Sequence, residues 1–297
     1  MKTQYVGHNG PRTAAPEAGS PPGGRPAEPA AGKRARSSTA TYAGWLAPPL
    51  TQLVVLFTAG LLWWLAALQG PKGAIPTPLS AFTSLAGLLG RAEFWDAVRE
   101  TASTWAVSLL ICTAVGIPAG LAIGLSRFVA NSTRLVVDFL RTIPPVALMP
   151  LYLLVYGPTR DMVIVLVVSG AVWPLVIQSV YAAGQTEPQL KDVARSFGFT
   201  RWVRLRHVFV PSVLPFAMTG IRVAATLSLL LTVTGELLGG APGLGMQIEN
   251  ALNGENQPQM YAYVLTTGAL GLVVNSAFHI VQHRVLRWHP SVRGSLR

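Results

Sequence analysis

His279 and His283 stand four residues apart, a spacing that places two imidazoles on one face of a helix, where they could hold a zinc ion. No Asp, Glu or Cys nearby completes a ligand set, so the pair is read as interfacial histidines and no metal site is assigned. Nothing fits G-x-x-x-x-G-K-[ST], the loop whose amides cradle phosphates: Gly32-Lys33 lacks the upstream glycine and runs into Arg34. Gly243-Leu244-Gly245 lacks the third glycine of a dinucleotide fingerprint and follows no strand. Ser/His/Asp catalysis has neither a nucleophile elbow nor a buried carboxylate pair, which disfavours a membrane-embedded hydrolase. Asn131-Ser132-Thr133 matches a glycosylation acceptor but falls in a segment read below as cytoplasmic. No catalytic residue and no cofactor is assigned to this chain.

The ionisable groups within apolar stretches are few: Arg222, Asp138 at an edge, and Glu236 near the outer end of a span. Arg222 could snorkel inward or pair with backbone carbonyls. Glu236 is either an interface carboxylate at a helix end or a group that gates or lines a translocation path. Ion-coupled carriers need charged or carbonyl ligands at bilayer depth, so this scarcity weighs against a secondary transporter or channel, the principal alternative function.

The elements that carry these residues are long apolar runs. The chain is 51% hydrophobic, 12% charged and has a mean hydropathy of +0.43. A span needs about 20 mostly apolar residues. Six are expected, at roughly 49–68, 104–125, 139–157, 162–183, 213–238 and 262–282. The net charge of +11 could suggest nucleic acid, but the basic residues alternate from loop to loop. Six lie in 1–48, three in 126–141, five in 184–212 and four after 282, against three in the opposite loops, Lys72, Arg91 and Arg160. That asymmetry places both termini and the 184–212 loop in the cytoplasm, with membrane lipid and no nucleic acid as the surroundings. Residues 1–45 are too rich in Gly, Pro, Ala and Ser to build a core and are expected to be a disordered cytoplasmic tail, its Lys33–Arg36 cluster touching anionic headgroups. Residues 46–290 form the membrane domain and 291–297 a second cytoplasmic tail. The single cysteine, Cys112, excludes an intramolecular disulfide.

Two segments stand out. Pro144, Pro145 and Pro150 interrupt the third span and free carbonyls that only protein or a water-filled path can satisfy at that depth, so they are expected, with Glu236, along the translocation path. In the 184–212 loop, Pro188 suits the first position of a short helix and Gly198 its left-handed end. Leu190, Val193, Ala194 and Phe197 follow the i, i+3, i+4, i+7 pattern of one apolar face. So short a helix needs a partner surface.

Asp192-Val193-Ala194, then Gly198, then Val208-Phe209-Val210-Pro211 resembles, at identical spacing, the EAA motif of permease subunits in binding-protein-dependent ABC importers. Ala194, Gly198 and Pro211 match outright; Asp192, Val193, Val208 and Val210 are conservative departures. Arg141-Thr142-Ile143-Pro144-Pro145, Pro150-Leu151, Gly243-Leu244-Gly245 and Arg287-Trp288 look like the nitrate/sulfonate/taurine-type branch, over about 90–290. The resemblance implies an all-α, polytopic, six-span permease with a cytoplasmic coupling helix, in a bacterial cell membrane. It implies a second permease subunit as homodimer partner, cytoplasmic ATPase subunits that bind ATP and Mg, and an extracytoplasmic solute-binding protein. The implied ATPase-coupling residues are Leu190, Asp192, Val193, Ala194, Phe197, Gly198, Val208 and Pro211. The implied substrates are nitrate, sulfonates, taurine or related small compounds, although residues 239–260 contain Glu249 and Glu255 and no Lys or Arg to attract an anion.

The charge asymmetry yields a topology to test. Cysteine labelling at Arg91, Thr159, Thr200, Asn253 and Ser295 should report the first, second and fourth outside; external labelling of Thr200 would overturn both the topology and the coupling role.

Overall fold

The computed structural model describes residues 49–69, 75–184 and 196–286. The chain divides into two units at Gln52. Of the first, Met1–Gln52, residues 49–52 alone are described, and they are helical. All packing below belongs to the second, Leu53–Arg297.

Among the described residues all regular structure is helical: α1 Pro49–Gln69, α2 Pro78–Leu89, α3 Ala92–Gly124, α4 Arg127–Thr142, α5 Met149–Tyr156, α6 Arg160–Gly184, α7 Val210–Gly239, α8 Leu244–Asn253 and α9 Gln257–Val285. Local chemistry sets several boundaries. The Thr77 hydroxyl accepts from Ser80 N and Pro78 opens α2; the Asn256 side chain likewise accepts from Gln259 N at the start of α9. Gly240, at φ 65°, ends α7 in the left-handed region.

Four helical stretches are long and apolar enough to cross a membrane, containing α3, α6, α7 and α9; a fifth forms if α4 and the segment Pro145–Tyr156, bent by 73°, count as one broken span. Taken from Leu53, α1 is a shorter apolar helix, as is α2. The second, fourth, fifth and sixth expected spans are therefore present. The third differs from its expected bounds of 139–157. Residues 126–141, read from their arginines as a cytoplasmic segment, form α4, because the hydrophobic period there is helical while the arginines keep to one stripe. The helices α2 and α8 and the early start of α3 at Ala92 lay outside the six runs, being too short or too polar to register as membrane segments.

α6 forms the centre. Met162, Leu166, Val167, Ala171 and Leu175 are buried along it between α3 and α7, with Cys112, Ala224 and Ala225 from the flanking helices. A second cluster, Leu88, Phe94, Ala97, Leu244, Ile248, Ala262 and Tyr263, joins α2, α3, α8 and α9. Outward-facing residues such as Leu110, Leu154 and Leu272 are mostly exposed, as suits hydrocarbon rather than water. In such surroundings helices associate where small residues let backbones approach. On α3 that line is Gly116, Gly120 and Gly124. A Cβ at Gly116 would stand 2.8 Å from Leu175 Cβ, one at Gly124 2.7 Å from Ala183 Cβ, and one at Gly120 would collide with Val176 O. Trp105 Nε1 adds a cross-link, donating to Ala225 O at 3.0 Å. Arg222 donates to the Asn275 side chain at 3.2 Å, a partner on α9 rather than a backbone carbonyl.

Gly120→Val should force α3 off α6 and lower stability by about 1–3 kcal/mol, read as a fall in the thermal midpoint in nanodiscs. Gly87→Ala, where a Cβ meets nothing within 4 Å among the described residues, is the control expected to leave the midpoint unchanged or raised.

Candidate functional site

The described part of the 184–212 loop begins at Ser196, which is helical, and reverses at Gly198, whose φ is +65°. This is the left-handed closure expected there. Phe197 beside it is 74% exposed, with its ring 6.2 Å from that of Phe199. Leu190, Asp192, Val193 and Ala194 lie outside the described residues. Thr200 then caps a helical turn, Arg201–Arg204, its hydroxyl accepting from Val203 N. The next turn, Leu205–Phe209, is a π-helix in which Val210 N–H reaches Leu205 O. Pro211 accounts for it. It has no N–H to give His207 O and its ring crowds that carbonyl, so the turn widens before α7 proceeds. Val208 and Pro211 are half-buried. Phe209 packs on Ala182, Val213 and Ala217, together with Ile117 and Leu121 of α3. The loop is thereby seated on the ends of α3, α6 and α7.

The broken span presents the proline cluster. The 73° bend falls between Thr142 and Pro145, where Pro144 is extended. Pro145 is half-buried and opens a 3-10 turn to Leu148, and a Cβ on Gly170 would meet its ring. Pro150 bends nothing: it sits in the first turn of α5, where a missing N–H forfeits no intrahelical bond. Pro144 and Pro150 are exposed. On α4, Asp138 pairs with Arg141 at 3.1 Å and stands 3.8 Å from Arg134 Nε.

Glu236 is 0% exposed, deeper than a helix-end interface carboxylate would be. Its Oε2 accepts from Thr101 Oγ1–H at 2.8 Å and from Gly245 N–H at 3.0 Å, while Thr101 Oγ1 accepts from Leu244 N–H at 2.8 Å. The carboxyl group thus lies at the N-terminus of α8, whose free amides and dipole favour an acidic group. Gly243, at φ 150°, carries no Cβ because one would land on the Glu236 carboxyl group. Glu236 Oε1 is buried with no hydrogen-bond partner among the described residues. Thr101 was not singled out by sequence. The signal available was Gly243-Leu244-Gly245 itself, a close-approach pattern with a carboxylate upstream on the same chain. His279 and His283 share a hydrogen bond, Nε2 to Nε2 at 3.1 Å, on an exposed face, and among the described residues no three His, Cys, Asp or Glu gather as metal ligands.

A helical bundle with a hydrocarbon-facing exterior is that of a multi-pass membrane protein. Residues 113–287 match the binding-protein-dependent transport system inner membrane component, and the chain belongs to that family. It is similar to the nitrate import permease protein NrtB of Leptolyngbya laminosa, 27% identical over 193 residues, covering 65% of this chain and 69% of that one. The putative aliphatic sulfonates transport permease protein SsuC of Bacillus subtilis (strain 168) is 25% identical over 257 residues, covering 84% and 90%. The taurine transport system permease protein TauC of Escherichia coli (strain K12) is 26% identical over 249 residues, covering 81% and 89%. These relatives are transport permeases rather than enzymes. Among solved structures, a chain of the inward-facing MetNI methionine ABC transporter shares the fold, with a TM-score of 0.57 at 20% identity, over 65% of this chain and 96% of that one.

The Thr101 hydroxyl serves two partners, so Thr101→Val should leave Leu244 N–H without its acceptor and remove one donor to Glu236. The cost is about 1–3 kcal/mol. Thr101→Ser should restore most of it, and thermal unfolding of the two variants in nanodiscs checks the difference.

Proposed function

We propose that this chain is the translocating subunit of an ATP-driven importer, taking a small anionic or zwitterionic solute of the nitrate, sulfonate or taurine type from an extracytoplasmic binding protein. Its ATPase subunits would bind ATP and Mg; this chain hydrolyses nothing. The observation that carries the proposal is the 196–211 segment: a helical Ser196 followed by an exposed Phe197 and a left-handed Gly198, and a return path in which Phe209 is packed on the ends of α6 and α7 beside residues of α3.

A surface helix seated in an ATPase and fixed to three bundle helices at once can convert displacement of the ATPase into a tilt of those helices. Leu190, Asp192, Val193, Ala194 and Phe197 would make the contact, Gly198 the turn, and Val208 and Pro211 the rigid return. The transmitted quantity is a coupling free energy between nucleotide and solute sites. Two copies would form the path between them, with six spans each, both termini in the cytoplasm of a bacterial cell, and the bend at Pro144 and Pro145 and the start of α5 at Pro150 facing the path. Glu236 would serve that path indirectly by holding α8 in place. Engagement of its carboxylate by Thr101 and Gly245 disfavours an ion-coupled carrier, which would need that group for its coupling ion.

The test separates turn geometry from contact. Among the described residues a Cβ at Gly198 meets nothing within 4 Å, so a substitution there is expected to act through its backbone or through a partner. Gly198→Val, strained at positive φ by roughly 1–3 kcal/mol, and Ala194→Asp should both lose ATPase co-purification or solute-stimulated ATP hydrolysis in nanodiscs. Gly198→Asn, which tolerates the left-handed region, should retain them. Full retention in all three variants would rule out a docking role.

A further inference from the structure

We propose that the cleft between α4 and the second half of α6 is a binding site for a small organic oxyanion, with Arg134 and Arg141 as its charged donors. The importer assignment supplies only the solute class; the site itself follows from geometry. Gly124, at the end of α3, packs on Val180 and Ala183, and Pro145, just after α4, packs on Gly170. Between these two contacts α4 runs alongside the half of α6 that adjoins the 196–211 loop. Ile123, Val176, Ile177, Val180 and Tyr181 form one wall of a cavity of about 350 Å³, and Ala130, Asn131, Thr133, Arg134, Val137, Asp138 and Arg141 form the other. That volume falls in the range of small-molecule sites.

The charge pattern of α4 is what suits an anion. Arg127, Arg134 and Arg141 recur at seven-residue intervals and so share a stripe. Phe128 and Leu135, on another face, are 80% and 79% exposed. The arginine side chains are open as well, 81% at Arg134 and 47% at Arg141, so their guanidinium groups stand at the mouth of the cleft. Asp138 is the one carboxylate lining the cavity and is shared between two arginines, so one positive charge is left over.

Arginine has donors and no acceptor, and its planar fork suits the oxygens of a sulfonate or carboxylate. The ligand must therefore be an anion that accepts hydrogen bonds. The space exceeds a bare inorganic ion, and the Val176, Ile177 and Val180 wall suits a short alkyl tail. An alkylsulfonate meets both conditions.

The test uses the full chain with its ATPase in nanodiscs, carrying Ala130→Cys at the cavity wall; native Cys112 is buried. Negatively charged methanethiosulfonate ethylsulfonate should label Cys at this position about tenfold faster than its trimethylammonium counterpart, as a focused positive potential requires. Methanesulfonate should slow labelling, and uncharged dimethyl sulfone should not. Arg134→Gln with Arg141→Gln should bring the rate ratio close to one and abolish protection, while the double Lys variant keeps the ratio. Equal rates for the two reagents, or no protection by methanesulfonate, would overturn the site. So would protection that follows the anionic phospholipid content of the disc, which would assign the arginines to lipid headgroups. The readout needs no nucleotide, so failure here with ATPase coupling intact overturns the oxyanion site alone, and lost coupling with protection retained overturns the importer alone.

Discussion

In hydrocarbon an apolar side chain gains little by leaving lipid for protein, so helices hold together where their backbones come close. Here that place is the line of Gly116, Gly120 and Gly124 on α3, set against Leu175, Val176 and Ala183 of α6. The rest of the bundle depends on it. With α3 drawn against α6, Trp105 comes within reach of the Ala225 carbonyl, and Thr101 is held level with Glu236 on α7. The same contact fixes the end of α3 from which α4 departs.

Several polar groups inside the bundle find their partners within it. Ser108 and Thr232 return their hydroxyls to the carbonyls of Thr104 and Ser228 one turn back. Thr101, Glu236 and the first amides of α8 form one connected set across three helices. A carboxylate that the sequence leaves between an interface role and a gating one stands as the cap of a short helix. Its neighbour in sequence, Gly240, ends α7 in the left-handed region, and residues 240–243 bring the chain back onto the carboxylate.

The sequence made the long apolar helices legible because uninterrupted hydropathy admits few other structures, and Gly198 because a left-handed closure after an amphipathic turn favours glycine. It also showed that the third span must break at Pro144-Pro145, a pair that cannot continue the helix before it. The extent of that element was misjudged. Arginines at 127, 134 and 141 read as loop charges when counted, but as a stripe when placed on a helix. Charge counting discards phase, and phase was the information needed. Thr101 was illegible for a different reason: its partners lie 135 and 143 residues away, and no local pattern announces such a contact. The glycine line was present as a four-residue repeat, yet hydropathy averages over it.

The widened turn at Leu205–Phe209 acts as a phase shifter. A π turn holds one residue more than an α turn, so everything before it is rotated by about 100° from where an unbroken helix would carry it. Trp202 is 76% exposed with that extra residue in place. The face that the loop shows to the outside is therefore decoupled from the face that α7 buries against α6, and each can be selected independently so long as Pro211 keeps the turn open.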